Sequence, residues 1–141
     1  MSVAYNKFYC AAANILGGTD ILKTDTLKIY LTNAAPAQSN TVYNTPAEIT
    51  AQNGYAQYGG TCAFTSCNQS SGTAILILAS PSTWTATGGS FGPFRYCVLF
   101  DYSSTNKDLI GWWDYGSAVT CNTGDTFAIT LDGTNGVLQL A

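Results

Sequence analysis

Three aspartates near the most aromatic stretch of the chain are the residues best placed for acid–base chemistry. They are Asp101, Asp108 and Asp114. A glycoside hydrolase needs two carboxyl groups that face each other at a set distance. Asp108 and Asp114 are better explained as a turn residue and a strand-end residue, because Asp favours such places. The chain has no His, which excludes Ser-His-Asp and Cys-His catalysis. We therefore expect no enzyme activity and no catalytic residue.

The remaining polar residues give no reason to expect a metal or a cofactor. Structural zinc sites use closely spaced Cys or His pairs, and the chain offers one loose pair, Cys62 and Cys67. The turn that begins at Asp132 has one carboxylate, which is too few for a calcium site. Because the N-terminal sequence lacks a signal-peptide pattern, we expect free thiols, with Cys62–Cys67 as the local alternative pair. Cys97 and Cys121 are predicted core residues.

The elements around these residues are predicted to be strands. Residues 91–116 hold two apolar, aromatic-rich runs separated by a polar turn, which predicts a long hairpin at the centre of a sheet. In its first strand Phe94, Tyr96, Val98 and Phe100 recur at every second position, so we expect them on one face. Trp112 and Trp113 are adjacent and should therefore point to opposite faces.

Further strands follow from alternating or continuous apolar runs bounded by Gly, Asn and Asp. The sequence thus predicts an all-β, single-domain β-sandwich or small jelly-roll-like barrel of about eight or nine short strands. Residues 1–23 are predicted to be an N-terminal arm or short helix, and residues 24–141 the β-sandwich domain. Tyr55 and Tyr58 lie in turn sequences and are expected to be exposed. The further strands are predicted within residues 21–33, 61–68, 73–79, 82–87, 117–121, 125–131 and 137–141.

Charge is scarce in this chain. Only 9% of its 141 residues are charged, and the net charge is −3. A surface with few ions loses little hydration free energy on contact, which favours burial against other subunits; a neutral surface on an extracellular β-protein is the alternative. The five basic residues are scattered, so no nucleic acid partner is expected. No apolar run approaches the roughly 20 residues that span a bilayer, so no membrane is expected.

Four segments resemble a family of small structural proteins of tailed bacteriophages and prophages. They are LKIYLTNAAP at residues 27–36, NGY-x-x-YGG at 53–60, GPFRY at 92–96 and LIGWWDYG at 109–116. The resemblance extends over residues 24–60 and 88–140. Residues 1–23 depart from the family pattern, which is more acidic and helix-like there. The resemblance implies a virion protein, either a capsid decoration (cement) protein or a minor structural protein.

This resemblance implies a non-enzymatic role on the capsid surface of a virion that is assembled in the host cytoplasm. The implied partners are the phage major capsid protein and further copies of the chain, with a trimer favoured. Aromatic residues anchor many interfaces. A tail- or fibre-associated module that binds glycans or a receptor is the alternative, with Trp84, Trp112 and Trp113 as a stacking platform. The candidate interface residues are Tyr43, Tyr55, Tyr58, Phe91, Trp112 and Trp113.

Overall fold

Antiparallel strands account for most of the regular structure in a computed structural model of the chain. The structure describes Val3, residues 5–43 and residues 47–140. Residues 1, 2, 4, 44–46 and 141 lie outside this description. The elements are β1 (Tyr5–Lys7), α1 (Tyr9–Leu16), β2 (Leu27–Thr32), β3 (Gly60–Cys62), β4 (Phe64–Ser70), β5 (Thr73–Leu78), β6 (Trp84–Thr85), β7 (Phe91–Asp101), β8 (Leu109–Cys121), β9 (Thr126–Phe127) and β10 (Leu138–Leu140).

The strands form three sheets. A five-stranded sheet has the order β1-β8-β7-β2-β3, a three-stranded sheet the order β10-β5-β4, and a two-stranded sheet pairs β6 with β9. All pairs are antiparallel. One apolar core joins residues of all three sheets, among them Ile29, Leu78, Trp84 and Leu99. The predicted all-β, sandwich-like fold is therefore confirmed.

The predicted central hairpin is present as β7 and β8. Val98 pairs with Trp112 and Cys97 with Trp113, so the two tryptophans point to opposite faces as expected. The prediction that Phe94 lies on the same face as Val98 and Phe100 is wrong. Register shifts on both sides of Phe94 turn its ring to the face of Cys97, in the core between the sheets.

A second apolar core covers the other face of the five-stranded sheet. Tyr30, Val98, Phe100 and Trp112 project from the sheet into it. Phe8, which precedes α1, packs on Trp112 with a ring-centroid distance of 4.6 Å. Loop residues, including Tyr43, complete this core. The centre of the sheet is therefore buried on both faces, which explains why residues 97–101 of β7 read as a continuous buried run.

The N-terminal segment adds a strand to the five-stranded sheet and then forms the helix. Tyr5 pairs with Trp113, and Lys7 pairs with Gly111. The Phe8 N–H donates to the Ile110 carbonyl at 3.1 Å. The short helix expected from the sequence corresponds to α1. Residues 5–16 thus pack on β8 of the same chain.

The C-terminal predictions are met only in part. Residues 125–131 alternate as a strand does, but only Thr126 and Phe127 pair, with β6. Residues 117–121 are the end of the long β8 and not a separate strand. Leu138–Leu140 forms the expected last strand and pairs with β5.

Candidate functional site

Most of the aromatic residues predicted as contact residues lie inside the protein. Tyr43, Tyr55, Phe91 and Trp112 are buried. The expectation that Tyr55 is exposed is wrong, because its ring packs within the chain. Phe91 stacks on Phe94 at a centroid distance of 6.1 Å. Truncating any of these four side chains would therefore destabilise the fold and would not test a binding surface. The platform of Trp84, Trp112 and Trp113 is wrong as well, because Trp84 and Trp112 are buried.

Tyr43 and Tyr55 are buried because they attach a loop to the end of β2. The Tyr55 hydroxyl accepts a hydrogen bond from the Leu31 N–H at 3.0 Å and donates to the Glu48 carboxylate at 2.7 Å. The Tyr43 hydroxyl also donates to Glu48. Glu48 itself bridges to Thr32 at the end of β2. Burial raises the pKa of both tyrosines above its ordinary value, so both hydroxyls remain donors at neutral pH.

Tyr58 is half-buried and belongs to a small group of rings and cations at one end of the sheet. Its ring lies 5.0 Å from that of Tyr102, in edge-to-face geometry. The Lys107 ammonium lies 4.9 Å from the Tyr102 centroid, and that of Lys28 lies 4.4 Å from it. Such cation–π contacts stabilise the positions of lysines that would otherwise be mobile. The role of Tyr58 at an interface stays a prediction.

Trp113, which is also half-buried, lies in an open groove of about 470 Å³. Tyr115 and Phe127 line the same groove, with a centroid distance of 5.8 Å between them. The Tyr115 side chain is 42% exposed. Residues 128–131, which continue beyond β9 without a strand partner, also line the groove. We call this the aromatic groove. Its partly apolar ring faces suit a planar or sugar-like ligand.

A second groove lies next to the end of α1, in the N-terminal segment of residues 1–23, which is also predicted from the sequence as a second contact with a neighbouring copy or another partner. It has a volume of about 570 Å³. Leu16 and Ile21, on either side of the turn after α1, are 73% and 53% exposed. Ile21 lines the groove together with the apolar side chains of Ile15 and Leu22. Phe64 and Leu76 add to this apolar lining, and the polar side chains that border it are those of Asp20, Lys23, Ser66 and Asn68. We call Leu16, Ile21 and this groove the apolar surface.

The sequence signal for the apolar surface lies in the helical pattern of the N-terminal segment. The apolar residues of this segment, spaced as on one face of a short helix, are Phe8, Ala11, Ala12, Ile15 and Leu16. In the structure Phe8 and Ala11 are buried, whereas Leu16 points to solvent at the last position of α1. An eight-residue helix cannot bury so many apolar residues against one sheet. The surplus of apolar residues could therefore have indicated an exposed surface.

The three aspartates considered for catalysis do not form one site. Asp114 forms a two-point ion pair with Arg95, with N–O distances of 2.8 and 3.0 Å. These hydrogen bonds hold the pKa of Asp114 below its ordinary value. Asp101 is buried at the end of β7, and its backbone N–H donates to the Asp108 carbonyl at 2.8 Å. Asp101 and Asp108 are thus neighbours, and Asp114 belongs to a separate surface pair.

Asp20, which the sequence analysis did not consider, is only 2% exposed. It follows α1 and carries carboxyl oxygens that have no hydrogen-bond partner among the described residues. Burial, together with the nearby charge of Asp108, raises the pKa of Asp20 to about 6. A buried carboxyl group without a donor is costly, so this residue needs an explanation.

The cysteines are free thiols in the structure. Cys62 is buried and Cys67 is exposed on β4, so the local pair is not bridged. Burial raises the pKa of Cys62 and of Cys97 to about 12, which leaves both thiols protonated and unreactive near neutral pH. Within the described ranges, no three Cys, Asp or Glu side chains are grouped so as to hold a metal ion. None of the helices in the described part of the chain is long and apolar enough to cross a membrane.

Comparison of the chain with protein-family models, with curated proteins and with solved structures finds no significant match. The arguments about function therefore rest on the side chains and surfaces of this chain and on the resemblance of its four segments. These surfaces can bind by contact, through apolar and aromatic side chains.

Proposed function

We propose that the protein is a non-enzymatic structural protein of a phage virion, most specifically a capsid decoration protein that binds the assembled head and stabilises it. The apolar surface carries this proposal. Leu16 and Ile21 stand exposed beside an apolar groove on a chain of which only 9% of the residues are charged. Covering such a surface with a partner lowers the free energy, because apolar area is removed from water. The resemblance of residues 24–60 and 88–140 to phage structural proteins supplies the partner class.

A decoration protein acts through mass action. It binds the assembled shell and not the free shell subunits, so each bound copy shifts the equilibrium towards the assembled state. Many copies bound at symmetric positions multiply a modest affinity per copy. Self-association of the chain, for example as a trimer, would bring several apolar surfaces to one point of the shell. The double-faced burial of the central sheet provides a rigid body for this purpose.

The direct test is binding to preformed shells that lack this protein. Purified full-length chain should co-sediment with such shells and raise the temperature at which they disrupt. Replacing both exposed residues, Leu16→Ser with Ile21→Ser, should weaken binding by at least about tenfold, because exposed apolar anchors supply much of an interface's free energy. Unfolding of the variant should match that of the wild type, because both side chains are already in solvent.

Tyr115→Ala is the matched control. It removes another exposed apolar side chain, from the aromatic groove instead of the apolar surface. It should leave shell binding unchanged. Saturated shells that disrupt at the temperature of bare shells would contradict the decoration function. Unchanged binding by the double variant would contradict the assignment of the surface and leave the function to another face.

A glycan-binding module is the second candidate, and the aromatic groove favours it. Trp113, Tyr115 and Phe127 present ring faces around an open volume of about 470 Å³. Sugar rings stack on such faces through their C–H groups. On this alternative the isolated protein should bind cell-surface glycans on an array. Tyr115→Ala should abolish that binding, and the Leu16 and Ile21 double variant should retain it.

A further inference from the structure

Aspartates from separate segments meet where the turn after α1 approaches the end of β7. Asp20 follows α1, and its backbone N–H donates to the Asn14 carbonyl at 3.1 Å. Asp25 precedes β2, and its carboxylate accepts the Ile21 N–H at 2.7 Å. Asp101 ends β7 and Asp108 precedes β8. We call these four residues the acidic cluster.

Two members of the acidic cluster are buried with unsatisfied oxygens. Asp20 is 2% exposed, and neither of its carboxyl oxygens has a hydrogen-bond partner among the described residues. Asp101 is fully buried. Its Oδ1 accepts the N–H groups of Ser103 and Ser104 at 2.9 and 3.1 Å. Its Oδ2 receives no N–H or O–H donor in the described chain, so a hydrogen bond to the Asp25 carboxyl group forms only when one of the two groups carries a proton. Ionised carboxylates in such positions are strongly disfavoured, because burial removes their hydration and no donor replaces it.

No cation of the described chain forms an ion pair with the acidic cluster. Lys23, in the same turn, lines the groove together with Asp20 but makes no ion pair within the described residues. Lys28 and Lys107 lie over the Tyr102 ring and form no ion pair with the acidic cluster within the described residues. From α1, the Cys10 thiol faces the same region, and the nearby Asp108 and Asp20 charges add to burial in raising its pKa. The described residues also contain no group able to hold a metal ion. Protons are therefore the simplest ligands for the unsatisfied oxygens.

The raised pKa values of the two buried aspartates agree with protonation of these oxygens. Burial, followed by the hydrogen bond to Asp25, raises the pKa of Asp101 to about 8. Burial raises that of Asp20 to about 6. A protonated Asp101 can donate its O–H to the Asp25 carboxylate, which at the same time accepts the Ile21 N–H. On ionisation the proton leaves to solvent, and like charges then face one another.

We propose that the acidic cluster is a proton-dependent clasp, which holds the turn after α1 against the β7–β8 hairpin while its carboxyl groups share protons and loosens when they ionise. Ile21 and Leu22 lie in the same turn and line the apolar surface. Loosening of the clasp would therefore displace one wall of that groove. This inference stands without the decoration function, since it concerns the stability of the chain alone.

The sign of the pH dependence follows from linkage. In the unfolded chain Asp20 and Asp101 titrate near their ordinary pKa of about 3.9. Because the folded pKa values are higher, the folded state binds more protons between about pH 4 and about pH 8. The stabilisation is fully present below about pH 4 and is lost as the pH rises through about 6 and then about 8.

Urea unfolding of the full-length chain, followed by tryptophan fluorescence from pH 5 to pH 9, tests the clasp. The unfolding equilibrium constant of the wild type should rise at least about tenfold between pH 6 and pH 8.5. Asp101→Asn keeps the acceptor for Ser103 and Ser104 and donates an N–H to Asp25, but it cannot ionise. The unfolding equilibrium constant of the Asp101→Asn variant should change less than about threefold between pH 6 and pH 8.5. Asp132→Asn, at an exposed turn carboxylate, should behave as the wild type does.

Three results would overturn the proposal. A wild-type stability that stays level or increases from pH 6 to pH 8.5 is the first, and an undiminished pH dependence in Asp101→Asn is the second. The third is stabilisation of the wild type at pH 8.5 by calcium chloride and its reversal by EDTA, which would assign the cluster to a cation. If Asp101→Asn does not fold, carboxyl ¹³C NMR of the wild type decides. The clasp requires an aspartate that titrates above pH 5.5, and finding none would reject it.

Discussion

Glu48 receives hydrogen bonds from two buried tyrosine hydroxyls, those of Tyr43 and Tyr55. The Tyr43 ring belongs to the core on one face of the central sheet, and the Tyr55 ring to the core on the other. One carboxylate at the end of β2 thus links both cores to the same loop. Tyrosine serves here because its ring fills apolar space while its hydroxyl reaches a polar partner.

Tyr55→Phe should destabilise the protein. The change keeps the ring but leaves the Leu31 N–H without an acceptor and removes one donor from Glu48. An unsatisfied buried N–H costs about 1–3 kcal/mol. We expect the free energy of unfolding in urea to fall by that amount. Tyr115→Phe removes a hydroxyl from an exposed ring and should change it by less than about 0.5 kcal/mol. Equal effects of the two changes would show that the Glu48 link is unimportant.

At the scale of the elements, β1 depends on a glycine in the neighbouring strand. A Cβ atom at Gly111 would lie 2.3 Å from the Tyr5 ring, so a side chain there and the observed position of Tyr5 exclude each other. Tyr5 in turn packs on Trp113 at a centroid distance of 5.3 Å. The edge strand is therefore held in place by one ring lying flat over a residue without a side chain.

Gly111→Ala should displace Tyr5 and weaken the pairing of β1 with β8. We expect the free energy of unfolding to fall by about 1–3 kcal/mol, as for other overpacked positions. Gly133→Ala is the control, because a Cβ atom there meets nothing within 4 Å. Limited proteolysis should also cleave the Gly111→Ala variant before residue 9 sooner than it cleaves the wild type. A variant with wild-type stability and an intact N-terminal segment would contradict this packing.

The sequence predicts the strands well where side chains alternate and poorly where tertiary contacts decide. The β7–β8 hairpin and the opposed faces of Trp112 and Trp113 follow from the period of a strand alone. The turn of Phe94 to the other face depends on register shifts, which leave no mark on the alternation. Tyr55 sits in turn-forming sequence, and only the folding of its loop over the sheet explains its burial. The acidic cluster joins residues that are far apart in the chain, so spacing could not indicate it.

On the scale of the whole molecule, the scarcity of charge should set how binding responds to salt. The exposed large hydrophobic side chains of the apolar surface are Leu16 and Ile21, and Lys23 is the one cation that lines its groove among the described residues. The described residues contain one ion pair, Arg95–Asp114. Contacts between apolar surfaces are not screened by ions, whereas contacts between exposed charges are. The proposed contact with a capsid shell should therefore be nearly independent of ionic strength.

Raising sodium chloride from about 50 mM to about 500 mM should change the dissociation constant for shells by less than about threefold. Co-sedimentation at increasing protein concentration measures this constant. A basic protein with several Lys contacts, measured on the same shells, provides the contrasting control. Weakening of tenfold or more would show that charges at another face carry the interaction.

The double covering of the central sheet has a consequence for how the molecule opens. β2 lies between β3 and β7, and its residues face one core or the other. Water can reach the backbone amides of Ile29, Tyr30 and Leu31 only when both layers separate, which amounts to unfolding of the domain. Deuterium uptake at these three amides therefore reports the global free energy of unfolding, while β1 and β10 at the margins report local fraying.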